Sequence, residues 1–495
     1  MTGLKSKVIN ALSWSAVETV GTVGMRLFIG IFLARLLEPE EFGLIAMLVI
    51  FISLSQTLVD SGFGAALIQK QRLTDVDTSS VFFFNLAIAF CMAGLLCLGA
   101  PWAAAFYQQP LLTPLIRVLS IVIIIDSLGI VHLRLMSKRL DFKSQARINI
   151  LTTAFSGGVA VFFALRGFGV WSLVVQRLVG SVLRTSFLWM LSRWRPKLVV
   201  EIKALKEMFP FGSRVLSTGL AGSVSDNFSR ILIGKLYSPA DLGYVERAHG
   251  VSTMPFTNLT SMLARVMFPS FASIQEDRKR MKAGLRKSIT VLALMVFPMV
   301  VGLVATARPL VLSLYTEKWA ASIPYLQIAV LDFLFYPFYM IHLSVLKACG
   351  RSDLLLRAEI LKRIAAILAL FLASRWGIIV MLWSYIGVSA MSYVLVGLFT
   401  HTLVSYPISE QIRDLLPYAV VSCIMGVGIY LINFLPFSNN WLHLFTQVGA
   451  GVLLFSLICI LVKPGAFLEV KGILESKFSK GSKVQPYASP DASGG

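Results

Sequence analysis

Charged side chains stand inside long apolar stretches of this 495-residue sequence, and they are the residues that could do chemistry. Glu18 and Arg26 share the first stretch, Asp60 falls late in the second, and Asp126 and Arg134 lie in the fourth. Arg177 and Arg184 are seven residues apart in the sixth, which places them on one helical face. The seventh carries Arg214, Asp226 and Arg230; Arg265 closes the eighth, and Asp332 sits midway along the tenth. A charge in hydrocarbon costs about 2.5 to 3.5 kcal/mol even on the lenient insertion scale, so such residues usually face a bundle interior or a wet cavity. Arginine outnumbers lysine at these depths. Its planar guanidinium stays charged when desolvated and grips phosphate oxygens two at a time. Arg26, Arg177, Arg214 and Arg230 are therefore the candidate substrate-binding residues. Together they would suit an anionic lipid headgroup such as a pyrophosphate.

Plainer roles compete with that chemistry. Asp226 and Arg230 are four residues apart and could simply pair along one helix face. Arg134, Arg214 and Arg265 lie near expected cytoplasmic ends and could snorkel to lipid phosphates. Asp126, Asp226 and Asp332 are candidates for a coupling H+ or Na+, and equally for partners of neighbouring arginines. His132 and His342 are expected to pack and hydrogen-bond near the cytoplasmic face.

Nothing in the chain reads as an enzyme. No Gly-rich loop ending in Lys-Ser/Thr is present, so ATP hydrolysis is not expected. Five cysteines lie in or beside apolar segments, with no CxxC pair, which gives neither a disulfide framework nor a metal site. The loops are too short for a glycosyltransferase domain. No cofactor is expected beyond a coupling ion.

The elements that must position these charges are membrane helices. The chain is 56% hydrophobic and 14% charged, with a mean hydropathy of +0.77; soluble domains carry roughly 25% charge. About fourteen apolar segments near 20 residues long recur. In the first half they cover 12–35, 43–68, 80–106, 113–136, 148–165 and 169–191. The second half has 209–236, 243–271, 287–313, 322–346, 356–374 and 378–404, and a last pair covers 415–435 and 441–462. The first holds Glu18 and Arg26 and no cleavage site follows, so a retained helix is expected rather than a signal peptide. The net charge of +20 gathers in alternate loops, from Lys5/Lys7 through Lys138/Arg139/Lys143 and Arg278/Lys279/Arg280 to Lys463 onward. The intervening loops are acidic or nearly uncharged. That is the positive-inside pattern, with both termini cytoplasmic, and it removes the reason for a nucleic-acid partner.

The halves repeat. Residues 31–43 read IFLARLLEPEEFG and residues 231–243 read ILIGKLYSPADLG. Pro39 matches Pro239 and Gly43 matches Gly243; further on, Pro114 and Pro324, His132 and His342, and Arg147 and Arg357 recur in the same order. Six spans per copy is an even number, so the copies are parallel rather than inverted. The expected organisation is an N-lobe at 1–192, a cytoplasmic linker at 193–208, a C-lobe at 209–406, two appended spans within 407–463, and a cytoplasmic tail at 464–495 whose Ser/Gly/Pro-rich end is disordered. Pro255, Pro298 and Pro337 fall inside spans, as hinges or static kinks.

WSAVETVG at 14–21 and LARLLEPEEFGLIAM at 33–47 resemble the opening of bacterial polysaccharide exporters. RVMFPSFASIQED at 265–277 and TEKWAASIPYLQI at 316–328 are similar to segments of the colanic-acid exporter type. The resemblance covers most of the chain and identifies the polysaccharide-transporter branch of the multidrug/oligosaccharidyl-lipid/polysaccharide flippase superfamily. It implies an all-α membrane protein of two six-helix lobes around a V-shaped cavity, plus two C-terminal helices. It also implies alternating-access flipping of an undecaprenyl-pyrophosphate-linked oligosaccharide across the bacterial inner membrane, for exopolysaccharide, capsule or O-antigen synthesis, alongside membrane lipids and a polysaccharide polymerase or other assembly proteins. In related lipid II flippases cavity arginines hold the pyrophosphate, but no fixed motif carries those positions over to this chain. An ion-coupled multidrug exporter of the same fold is the alternative. A membrane polysaccharide polymerase is a third, against which stands the lack of a large periplasmic loop.

Overall fold

A computed structural model describes residues 2–437 and 439–468, apart from the side chains of 2–12, 16, 257–259 and 261–265. Arg265 and the far tail are thus outside what is described at side-chain level. The described chain is helical throughout. The first seven helices are α1 (Thr2–Leu36), α2 (Pro39–Asp60), α3 (Phe63–Gln69), α4 (Asp75–Tyr107), α5 (Leu112–Lys138), α6 (Phe142–Leu165) and α7 (Val170–Leu191). Next come α8 (Ile202–Leu236), α9 (Pro239–Ala272), α10 (Arg278–Tyr315), α11 (Ile323–Leu331), α12 (Tyr336–Ala348), α13 (Ser352–Ala373) and α14 (Ile378–Val404). The last pair is α15 (Ile408–Leu431) and α16 (Asn440–Val462).

Each expected span falls on these helices, the second divided between α2 and α3 and the tenth between α11 and α12. Among the described residues, ten segments are long and apolar enough to cross a membrane by length and composition. The expected spans outside that set fall on α7, α8, α9 and α13, whose charges, Arg177, Arg184, Arg230 and Arg363 among them, lower their hydropathy. Large apolar side chains such as Leu98, Trp102 and Leu453 are mostly exposed. In water that surface would drive aggregation; against lipid tails it is the solvated face.

The repeated motif builds the same corner twice. At the first, Pro39 opens α2 and the Glu38 N–H donates to Glu41 Oε2 at 2.7 Å. At the second, Pro239 opens α9, the Ser238 N–H donates to Asp241 Oδ2 at 3.2 Å, and the Asp241 N–H returns a bond to Ser238 Oγ at 3.1 Å. Proline at the start costs no hydrogen bond there, and the acid two residues after it satisfies an orphan donor. The two corners then pack on each other. A Cβ on Gly43 would lie 1.7 Å from the Pro239 carbonyl oxygen, and one on Gly243 would lie 2.0 Å from that of Pro39. Only glycine permits this approach.

The in-span prolines differ in effect. Pro255 and Pro298 sit within the continuous helices α9 and α10. Pro337 instead starts α12, just after a short 3-10 turn at Asp332–Leu334 that interrupts the tenth span.

Contacts divide the chain into two compact units. Unit 1 holds Met1–Arg247 with Leu314–Ser322 and Leu370–Ile378; unit 2 holds Ala248–Ser313, Ile323–Ala369 and Ile379–Gly495. In unit 1, α8 packs on α2, α3 and α4, so it groups with the first six spans. A core of Phe63, Leu67, Phe82, Val131 and Met208 closes one end of that unit. In unit 2, Tyr339, Leu343, Leu346, Leu354 and Val396 form a buried cluster, and α15 pairs with α16. Each unit also buries one of the repeated histidines completely. His132 lies between the rings of Trp189 and Trp194, at 4.8 and 5.0 Å. His342 bonds Gln411 Oε1 at 3.1 Å and packs on Tyr393.

Candidate functional site: a cationic cavity in unit 1

Five helices of unit 1, α1, α2, α5, α6 and α7, line an open cavity of about 780 Å³. Polar positions on these helices recur at helical spacing and turn inward. On α7 they are Arg177, Ser181, Arg184 and Thr185; on α6, Asn149, Thr152, Thr153 and Ser156. Spacings of three and four residues bring such groups onto one face. The faces turned away are apolar, as α6 shows with Leu151, Phe155 and Phe162 exposed.

Arg26 of α1 and Arg177 and Arg184 of α7 line the cavity. Among the described residues none of the three has a hydrogen-bonding or ion-paired protein partner. Arg134 also lines it, but its Nη2 donates to Asp60 Oδ2 at 3.0 Å, which cancels both charges. Asp126 of α5 is held differently. Gln56 Nε2 of α2 donates to its Oδ2 at 3.0 Å, and Ser181 Oγ of α7 donates to its Oδ1 at 2.6 Å. Both donors are neutral, so neither brings a countercharge to the carboxylate. Glu18 accepts from Asn149 Nδ2 at 2.5 Å. The fields of Asp126, Arg177, Arg26 and Glu18 all reach Arg184. An unpaired cation in a low-dielectric site is costly. The arrangement therefore favours an anion that enters from outside the protein.

Sequence-selected residues divide between this cavity and other places. Arg26, Arg177 and Asp126 line it. Arg214 is exposed and is not among its lining residues. Arg230 makes a bidentate pair with Glu246, at 2.7 and 2.9 Å, and donates to Asn227 Oδ1 at 2.8 Å. Its carboxylate partner there is thus Glu246, while Asp226 is exposed. Asp332 belongs to unit 2, where it accepts a hydrogen bond from Ser389 Oγ within reach of the fields of Lys362 and His249. Arg184 is legible in the sequence as the heptad partner of Arg177, and the cavity lining adds it to the candidate binding residues. Gln56 and Ser181 carry no signal in the sequence that distinguishes them from other polar residues on helices.

A second arginine, Arg247, is caged elsewhere in unit 1. Its guanidinium lies 4.3 Å from the Phe42 ring, 5.1 Å from Tyr315 and 5.4 Å from Trp319. At the other end of the helices, Lys70 bonds Asp77 at 2.9 Å and Glu207 at 3.3 Å. The Asp77 carboxylate, countered in part by burial, holds the Lys70 ammonium above its usual pKa.

Fold and cavity together define a polytopic helical membrane protein. The chain is similar to the lipid II flippase MurJ in an inward closed conformation, with a TM-score of 0.76 at 16% identity, covering 91% of this chain and 99% of that one. It is also similar to an inward-facing multidrug resistance MATE transporter, at TM-score 0.57 and 14% identity, covering 83% and 98%. These likenesses show the fold. Residues 32–324, more than half of the chain, match the polysaccharide biosynthesis protein family, and the chain belongs to that family. Among its relatives, the teichuronic acid biosynthesis protein TuaB of Bacillus subtilis is 24% identical over 470 residues, 94% of this chain and 97% of TuaB. The succinoglycan biosynthesis transport protein ExoT of Rhizobium meliloti is 29% identical over 66% of each chain. The lipopolysaccharide biosynthesis protein WzxC of Escherichia coli is 26% identical, again over 66% of each. The chain is thus a multi-pass helical membrane protein of the polysaccharide biosynthesis family.

Proposed function

We propose that this protein flips an oligosaccharide linked through diphosphate to a polyprenyl lipid across the bacterial inner membrane. The observation that carries the reading is the set of three cavity arginines, Arg26, Arg177 and Arg184, with no protein anion bonded to them. A diphosphate bridging lipid and sugar has one ionised oxygen on each phosphorus, and guanidinium forks suit both. The hydroxyls and amides of α6 offer hydrogen bonds to the first sugar. Fourteen spans in two parallel six-helix repeats plus a C-terminal pair, with both termini cytoplasmic, would work by alternating access around such a headgroup. Arg214 and Arg230 would enter the path only in another state of the cycle. Asp126, Asp226 or Asp332 would take a coupling H+ or Na+. Polymerase and assembly proteins would receive the flipped lipid.

The test is a deletion strain rescued by wild type or by Arg26→Ala. Deletion is expected to strand lipid-linked oligosaccharide on the cytoplasmic side. Losing one charge-assisted contact is expected to lower export roughly ten- to a hundredfold at normal insertion levels. Complete rescue by Arg26→Ala would remove Arg26 from the site. Unchanged lipid-linked sugar with new drug sensitivity would instead establish the multidrug exporter.

A further inference from the structure

We propose that Asp126 is a specificity and release residue, an internal counter-anion that sets the cavity charge to match a dianionic headgroup and lets that headgroup leave. This rests on the flippase reading above and adds a residue and a role to it. The argument starts from charge. Once Arg134 and Asp60 cancel, the cavity lining presents three guanidiniums and one carboxylate, a surplus of two positive charges; Glu18, held by Asn149, stands behind that lining rather than in it. A disubstituted diphosphate carries two negative charges; a monophosphate diester carries one.

Geometry supports a deliberate carboxylate at this point. Ser181 lies four residues after Arg177 and three before Arg184, so all three share a face of α7. Ser181 bonds Asp126, which holds the carboxylate opposite the middle of the arginine face. Gln56 fixes its other oxygen from α2. Neutral donors therefore hold the charge in place without neutralising it, in contrast to Asp60, whose charge Arg134 removes. Three arginines with no opposing acid would bind a dianion in a deep well. Binding that is equally strong before and after transport lowers KM without raising turnover, because release then limits the cycle. Asp126 makes that well shallower from within.

The experiment uses the full-length protein in proteoliposomes. The probes are a short-chain polyprenyl diphosphate sugar and the corresponding monophosphate sugar. Asp126→Asn keeps the shape and much of the hydrogen-bonding capacity. It is expected to lower KM for the diphosphate lipid about tenfold and to lower kcat by a similar factor, the size of one charged contact. Arg184→Gln is expected to raise KM. The double variant Asp126→Asn/Arg184→Gln restores the surplus of two and is expected to bring KM back to within about threefold of wild type, a cancellation that a merely structural role for Asp126, adding a second loss to the first, would not produce. Ser181→Ala frees the carboxylate to swing onto a guanidinium and is expected to weaken binding. It serves as the readout should Asp126→Asn not fold. Asp126→Asn with unchanged or higher KM, or a double variant worse than both singles, would overturn the proposal while leaving the flippase reading intact. Wild type that neither binds nor moves the diphosphate lipid would overturn both.

Discussion

Trp319 joins burial and capping in one side chain. It is fully buried, and its Nε1 donates to the Ala34 carbonyl oxygen at 2.8 Å. Ala34 lies in the last turn of α1, where helix geometry leaves carbonyls without partners. Lys318 Nζ takes the next one, that of Arg35, at 3.0 Å. The segment after α10 thus caps α1 with a donor and a cation, the charge that a helix C-terminus favours. Trp319→Phe keeps most of the volume and removes the donor, at a cost of about 1 to 3 kcal/mol for the stranded carbonyl. Trp319→Ala adds a cavity beneath the Arg247 cage and is expected to cost about 3 to 5 kcal/mol. Thermal unfolding of the purified protein in detergent should rank the two variants in that order below wild type. Equal midpoints for Trp319→Phe and wild type would mean that the capping bond contributes nothing.

At the scale of the element, the repeated Pro-x-x-x-Gly corner makes the sharpest claim. Gly43 and Gly243 are each pressed against the other corner's proline carbonyl. Alanine at either position must push backbone against backbone, since no flexible side chain is there to give way. Gly43→Ala and Gly243→Ala are each expected to destabilise by about 1 to 3 kcal/mol. Because they act on one contact, the double variant is expected to cost less than the two singles combined. Melting curves of the three variants decide this, and strict additivity would show the contacts to be independent. This corner was legible in the sequence as a motif, because Pro at a helix start and an acid two residues after it are local signals. That the two copies touch was not legible, since the motif says nothing about which helix it meets. The cavity divides in the same way. Arg26 and Arg177 followed from depth in apolar segments and Asp126 from its charge, but pairing in space decided what depth could not. Arg230 found Glu246, sixteen residues on, rather than its helix neighbour Asp226. Arg134, whose place near a span end also allows snorkelling, pairs with Asp60 on a different helix.

Over the whole molecule, the distribution of charge predicts an orientation that can be tested without any substrate. Basic loops alternate with acidic or neutral ones along the chain, and each arginine or lysine left outside would oppose insertion. Gln108, between α4 and α5, falls in a neutral loop, whereas Arg72, between α3 and α4, falls in a basic one. The two positions are separated by α4, whose 33 residues exceed what a bilayer needs. Cys91 and Cys423 are exposed in the structure and would give background labelling. With the five native cysteines replaced by alanine, Gln108→Cys is expected to react with a membrane-impermeant maleimide in intact spheroplasts. Arg72→Cys is expected to react only after the membrane is opened. Labelling of Arg72→Cys from outside would invert the molecule, place the basic loops in the periplasm and make cytoplasmic loading through the same face untenable. Labelling of both would mean that α4 does not cross, and the parallel arrangement of the repeats, which needs an even number of crossings per copy, would fail with it.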